Sequence, residues 1–199
     1  IFEKFQKIKD EKKLIFCIGT LISNTAGELY GYNGNSPKSN SSFLENIVTL
    51  SKLYQNCYFV IKYKNQNFIK QVESNLIRKI NEQENIEILK NSKHINSYEL
   101  VIMSDLIISK YSNILDETIS LEKKIICYDE HKDLKSTKYL FNSLKLNTYN
   151  KNDLEKKFEF FLKNKDYYSI DQNNLIETFF GKKKFDTEES IIELIKNMI

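Results

Sequence analysis

Apolar residues along this chain fall into two alternating patterns. Short continuous runs, Leu14-Ile15-Phe16-Cys17-Ile18, Tyr58-Phe59-Val60-Ile61, Ile86 to Leu89, Leu106-Ile107-Ile108, Ile125-Ile126-Cys127-Tyr128 and Leu146 to Tyr149, predict strands. Their lack of polar alternation points to strands covered on both faces. Between them the apolar positions recur at helical spacing. Ser42 is placed to cap a helix carrying Phe43, Leu44, Ile47, Leu50 and Leu53, with Glu45 in the capping-box position. Gln66 to Glu82 puts Phe68, Ile69, Val72, Leu76, Ile77 and Ile80 on one helical face, and Ser97 caps a short predicted helix from Tyr98 to Met103. Further helices are expected over Lys135 to Leu144 and Asp153 to Leu162, and two more in Leu175 to Ile199, divided near Gly181.

Repeated strand–helix order with buried strands predicts an α/β fold with a doubly wound, Rossmann-like parallel sheet. Phe2 to Lys13 reads as a charged, partly helical lead-in or inter-domain linker, followed by one domain over 14–199 with no repeat and no second boundary. The chain begins at Ile1, and we expect residues upstream. Ser23 to Ser42, rich in Asn, Ser and Gly and holding the single proline Pro37, is expected as a long loop of the functional kind.

At 199 residues and 41% hydrophobic content the chain can bury a substantial core. A formal charge of +3, with acids and lysines intermixed, gives no basic stripe of the nucleic-acid-binding kind. Cys17, Cys57 and Cys127 each fall in a predicted strand, too far apart for a metal knuckle, and read as buried thiols. No apolar window reaches membrane-spanning length and no signal-peptide pattern opens the chain. The expected location is cytoplasmic, with attachment at the inner face of the plasma membrane left open.

The most informative segment runs from Ser104 to Asp129 and reads as strand, polar loop, helix and second strand. Lys110-Tyr111-Ser112-Asn113 sits where an open α/β sheet offers its ligand the first turn of a helix, which favours a phosphate-bearing group. Ser112 and Asn113 are candidate phosphate contacts, and a plain N-cap is the competing reading. Lys110 is a candidate phosphate partner, against an ordinary solvated loop lysine. Lys62 and Lys64 leave the second strand at its ligand-bearing end, and Gly19 and Thr20 follow the first strand at a candidate cleft floor. His94 occupies the loop after the third strand and His131 the end of the fifth. Neither the dinucleotide fingerprint nor a Walker-type Gly-Lys-Ser is present.

Set beside this order of elements, the loop residues give the chain a resemblance to the C-terminal, donor-binding domain of GT-B glycosyltransferases. It is nearest to the CDP-glycerol glycerophosphotransferases and the capsular or surface-polysaccharide transferases. In those proteins a strand ending in Ser-Asp precedes an Asp-Tyr-Ser-Ser loop and a helix, and a Gly-Lys-Pro-like turn introduces the next strand. The matching residues are Ser104-Asp105, Lys110-Tyr111-Ser112-Asn113 and Glu122-Lys123-Lys124. Weaker likeness covers Asn147-Thr148-Tyr149 and Phe179-Phe180-Gly181 followed by Asp186. The chain departs from the pattern at Lys110, at Asn113 and in the turn at Glu122, and has Lys62-Tyr63-Lys64-Asn65 where relatives carry Lys-Pro-His-Pro.

The resemblance implies a donor domain that binds a CDP-, CMP- or UDP-linked sugar or polyol, with a polysaccharide or lipid-linked acceptor. It implies transfer without a bound metal or separate cofactor, within a longer two-domain enzyme of surface-polymer synthesis whose N-terminal part would also carry any membrane association. It also implies that Glu117 takes the donor ribose, with Asp116 facing elsewhere, and that Ser112, Asn113, Lys110, Tyr111, His94, Lys62, Lys64, Gly19 and Thr20 form the remaining candidate donor site. A non-catalytic binding or assembly module of the same fold is the rival expectation, and a sugar-nucleotide 2-epimerase a third.

Overall fold

The computed structural model describes residues 2–19, 37–63, 72–89, 96–110, 112, 114–133, 139–164 and 167–180. By compactness the chain divides into residues 1–167 and 168–199.

In the first unit, helix α1 (Phe2–Glu11) leads into strand β1 (Lys13–Gly19). There follow α2 (Pro37–Leu53), β2 (Cys57–Tyr63), α3 (Ser74–Asn81), β3 (Ile86–Ile88), α4 (Ser97–Met103), β4 (Leu106–Ser109), α5 (Ile114–Ser120), β5 (Lys124–Tyr128), α6 (Leu140–Ser143), β6 (Asn147–Thr148) and α7 (Lys151–Lys163). The strands form one sheet in the order β3-β2-β1-β4-β5-β6, and every pairing is parallel. This is the doubly wound order, in which the order of the strands reverses between β1 and β4.

The apolar runs are strands for the reason their pattern gives. Leu14, Ile15, Phe16 and Cys17 of β1, Phe59, Val60 and Ile61 of β2, and Ile125, Ile126 and Cys127 of β5 are wholly buried. α7 closes the core with Phe158, whose ring stacks on Phe59 at 5.8 Å and meets Tyr54 at 4.8 Å. All three cysteines are buried free thiols. Burial pushes the Cys57 thiol up to about 11 and those of Cys17 and Cys127 well above their usual value, so they pack as apolar groups.

Several element boundaries differ from the sequence expectation. α2 begins at Pro37, so Ser42 is an interior residue of that helix and Glu45 has no capping role. Proline suits this entry because its fixed φ fits the first helical position and its missing N–H costs no bond there. The segment 37–42 is thus helix rather than loop. α3 covers only Ser74–Asn81 of the expected helix, and 64–71, with Phe68 and Ile69, lies outside the described residues.

α4 is capped by Asn96, one residue before the expected Ser97. The Asn96 side chain accepts from Tyr98 N–H at 3.1 Å, and Glu99 returns a bond to Asn96 N–H. α6 is a short piece of the expected Lys135–Leu144 helix, β6 is two residues long, and α7 starts at Lys151 behind an Asn150 cap. Ser104-Asp105 precedes β4 instead of ending a strand.

In the second unit, Ser169 and Gln172 exchange side-chain to N–H bonds in a capping box that opens α8 (Ile170–Phe180). The expected start at Leu175 is therefore five residues late, and the final helical pattern lies outside the described residues. Among the described residues no helix is long and apolar enough to cross a membrane, and no group of His, Cys, Asp or Glu is arranged to hold a metal ion.

Candidate functional site

The crevice rim is built from the C-terminal ends of β1, β2, β4 and β5 and the first turns of α2, α4 and α5. Lys62, the penultimate residue of β2, donates from Nζ to Ser97 Oγ at 2.7 Å, which ties the strand end to the start of α4. Partial burial lowers the pKa of this lysine and Glu99 opposes the shift. One residue further on, Tyr98 donates its phenol to Oε2 of Glu117 in the first turn of α5. The bond to that carboxylate holds the phenol above its ordinary value. Lys62, Ser97, Tyr98 and Glu117 therefore form one polar row across three elements.

Asp116 is turned away from this row, as expected. Its two carboxylate oxygens accept from the N–H groups of Leu140 and Phe141 at 3.1 and 3.0 Å and cap α6. Burial raises its pKa and the two main-chain bonds oppose the rise.

A second cluster lies beneath α2. Ser39, Ser42 and Asn46 fall on one face of that helix at helical spacing. Ser39 Oγ accepts from Lys110 Nζ at 2.8 Å, Ser42 donates to Glu130 Oε1 at 2.9 Å, and Asn46 donates to the Tyr128 hydroxyl at 2.9 Å. Asp129 is fully buried and accepts from Asp133 N–H at 2.9 Å. Lys110 is 0% exposed. Desolvation brings its pKa down to about 7, against the attraction of Glu130, Asp133 and Asp129. Lys110, read from the sequence as a candidate phosphate partner against a solvated loop lysine, is thus a buried side chain bonded to Ser39, which rules out the solvated reading.

Gly19 is the last residue of β1. The ring of Tyr63, its register partner on β2, lies over the glycine so closely that any Cβ there would collide with it. Ser112 is half-buried, and its carbonyl accepts from Leu115 N–H at 3.1 Å in the turn that opens α5. His131 stands beside Glu130 with Nε2 3.9 Å from Oε2. Thr20, Lys64, His94, Tyr111 and Asn113 lie outside the described residues.

The structure therefore links Lys62 to Ser97 and Tyr98 to Glu117, and bonds Lys110 to Ser39 of α2. The sequence reading missed Ser39, Ser97, Tyr98, Asp129 and Glu130. The Ser39-Ser42-Asn46 stripe was visible as a polar face on an otherwise apolar helix. Nothing local marked Tyr98, whose partner is 19 residues away.

The turn at Glu122-Lys123-Lys124 closes α5. Glu122 adopts φ 55°, and the N–H groups of Glu122 and Lys123 bond back to Ile119 and Thr118 in a Schellman ending of α5. A glycine would occupy that left-handed position without strain.

A shallow cleft of about 400 Å³ at the β6 end, lined by Asn147, Thr148, Tyr149, Asp153, Lys156, Lys157 and Phe160, stands apart from these groups.

No family model matches the sequence, and no curated protein matches it. Solved structures do share the fold. UDP-GlcNAc 2-epimerase from Neisseria meningitidis, bound to UDP-GlcNAc, superposes with a TM-score of 0.60 at 16% identity, over 96% of this chain and 47% of that one. A putative UDP-N-acetylglucosamine 2-epimerase from Listeria monocytogenes gives 0.57 at 12% identity, over 88% and 42%. MnaA of S. aureus in complex with UDP gives 0.55 at 12% identity, over 84% and 40%. The chain thus shares a Rossmann-like, GT-B-like fold with these structures and spans less than half the length of each of them.

Proposed function

We propose that the chain is the nucleotide-binding part of a GT-B-like enzyme acting on a sugar or polyol linked to UDP, CDP or CMP. The observation that carries the reading is the Lys62-Ser97-Tyr98-Glu117 row at the C-terminal ends of the strands, beside the point where strand order reverses. In this reading Glu117 accepts the ribose hydroxyls and Lys62 attracts the phosphates. Ser112 and Asn113 add hydroxyl and N–H contacts at the start of α5. Lys110 supports α2 from beneath rather than touching the ligand.

Two chemistries fit this binding half. Transfer of a sugar or polyol phosphate to a polysaccharide or lipid-linked acceptor follows from the loop residues, with the departing phosphate stabilised by Lys62 and main-chain N–H groups and the base supplied by another part of the protein. Epimerisation at C2 of a UDP-sugar is favoured by the fold shared with the 2-epimerases.

Calorimetric titration with UDP and CDP tests the common premise. Micromolar to millimolar binding that weakens about 30-fold in Glu117→Gln is expected, and absence of binding to either nucleotide refutes it. Incubating the full-length protein with UDP-N-acetylglucosamine, with and without acceptor, separates the two chemistries by their products.

A further inference from the structure

Glu117 is an exposed carboxylate whose Oε2 accepts a hydrogen bond from the Tyr98 phenol, while its Oε1 has no partner among the described residues. A carboxylate has acceptor sites on both oxygens, so one side can be held by the protein while the other takes a ligand hydroxyl. The phenol is well placed to act as the holder. Tyr98 is the second residue of α4, and the Asn96–Glu99 capping box fixes the main chain there. The preceding residue, Ser97, is tied to β2 through Lys62. The residue is 44% exposed, so its phenol is open to the surface carboxylate that it meets. A rigidly mounted donor aimed at a surface carboxylate removes the rotational freedom that an unsupported glutamate would lose on binding.

We propose that Tyr98 is a positioning residue for the nucleotide: by donating to Oε2 it orients Glu117 so that Oε1 receives the vicinal hydroxyls of the ribose, and it thereby sets a preference for ribonucleotides over deoxyribonucleotides. This rests on the nucleotide-binding reading above. Tyr98 makes no contact with the reacting atoms, and its effect passes through Glu117.

The experiment measures the affinities of UDP and CDP and of their 2′,3′-dideoxy forms for the unaltered protein, Tyr98→Phe, Glu117→Gln and the double variant. Charge-assisted bonds to two hydroxyls give an expected preference of about 30-fold for the ribose form in the unaltered protein. Tyr98→Phe keeps the ring and the thermal midpoint and reduces that preference about fivefold. Glu117→Gln brings it close to one, and the double variant falls no further. A structural role for the phenol would move the thermal midpoint or both affinities equally, leaving the ratio intact. Tyr98→Phe binding with an unchanged ratio overturns the inference and leaves nucleotide binding standing. Failure of the unaltered protein to bind UDP or CDP overturns both.

Discussion

At the N-terminal edge of the sheet, charged side chains bind main chain. Asp105 accepts from Leu14 N–H, Lys123 donates to the carbonyls of Ile102 and Ser104, Lys124 to those of Phe161 and Asn164, and Lys13 to Leu162. At the C-terminal edge the prominent bonds join side chain to side chain: Lys62 to Ser97, Tyr98 to Glu117, Lys110 to Ser39 and Ser42 to Glu130. A main-chain carbonyl at a helix end needs its cation wherever the protein goes, because an unpaired main-chain group is costly. A hydroxyl or carboxylate held by another side chain can exchange that partner for a ligand atom. One edge is therefore committed to the fold, while at the other the Lys62–Ser97 and Tyr98–Glu117 bonds are organised but exchangeable.

The largest expected effect concerns the buried cation of the C-terminal edge. Folded Lys110 releases its proton near pH 7, whereas the unfolded chain keeps it up to the ordinary lysine value of 10.5. Between those limits the unfolded state binds more protons, so folding stability rises with pH and is lost as pH falls toward 7. The gain from this one group between pH 7 and 9.5 is about 3 kcal/mol. Lys62, Lys123, Lys124 and Lys157 shift in the same direction, so the difference between Lys110→Met and the unaltered protein isolates the residue. Urea unfolding across that range should show the variant's slope flattened. An unchanged slope would remove Lys110 from the buried cluster.

At the opposite edge, Asp105→Ala leaves Leu14 N–H without its acceptor. A loss of about 2 kcal/mol, or about 6 °C in thermal midpoint, is expected, with nucleotide affinity within about twofold of the unaltered protein. A variant that kept its stability but lost nucleotide binding would reverse the contrast between the edges.

The smallest effect is a gain. Glu122→Gly relieves the left-handed position that ends α5 and offsets it partly with extra freedom in the unfolded chain, for a net increase of about 0.5 to 1 kcal/mol. The thermal midpoint reports it, and a decrease would mean that the Glu122 side chain contributes more than its turn costs.

Much of the fold was legible because strands buried on both faces write themselves as apolar runs. β1, β2, β4 and β5 lie within a residue or two of their expected limits. Helix starts were less legible. Ser42, Ser97 and Asp153 all read as starts, yet the caps or first residues are Pro37, Asn96 and Asn150, since several polar residues in a row offer equally good local caps. Asp116 and Glu117 take different partners, Leu140 and Phe141 N–H for one and the Tyr98 phenol for the other, because adjacent residues on a helix point in different directions. Lys110 defeated local reasoning. Lysine after a strand ordinarily reaches solvent, and only α2 lying over the end of β4 buries it.

The sequence by itself determined the parallel α/β class and the buried thiols. These follow from the periodicity of burial, which is a local property of the chain. Tertiary structure alone decided which polar groups meet. Lys110 and Ser39 are 71 residues apart, Asn46 and Tyr128 82, and Ser42 and Glu130 88. No spacing rule reaches so far, because a side chain's partner is chosen by strand order and by which helix crosses the strand end.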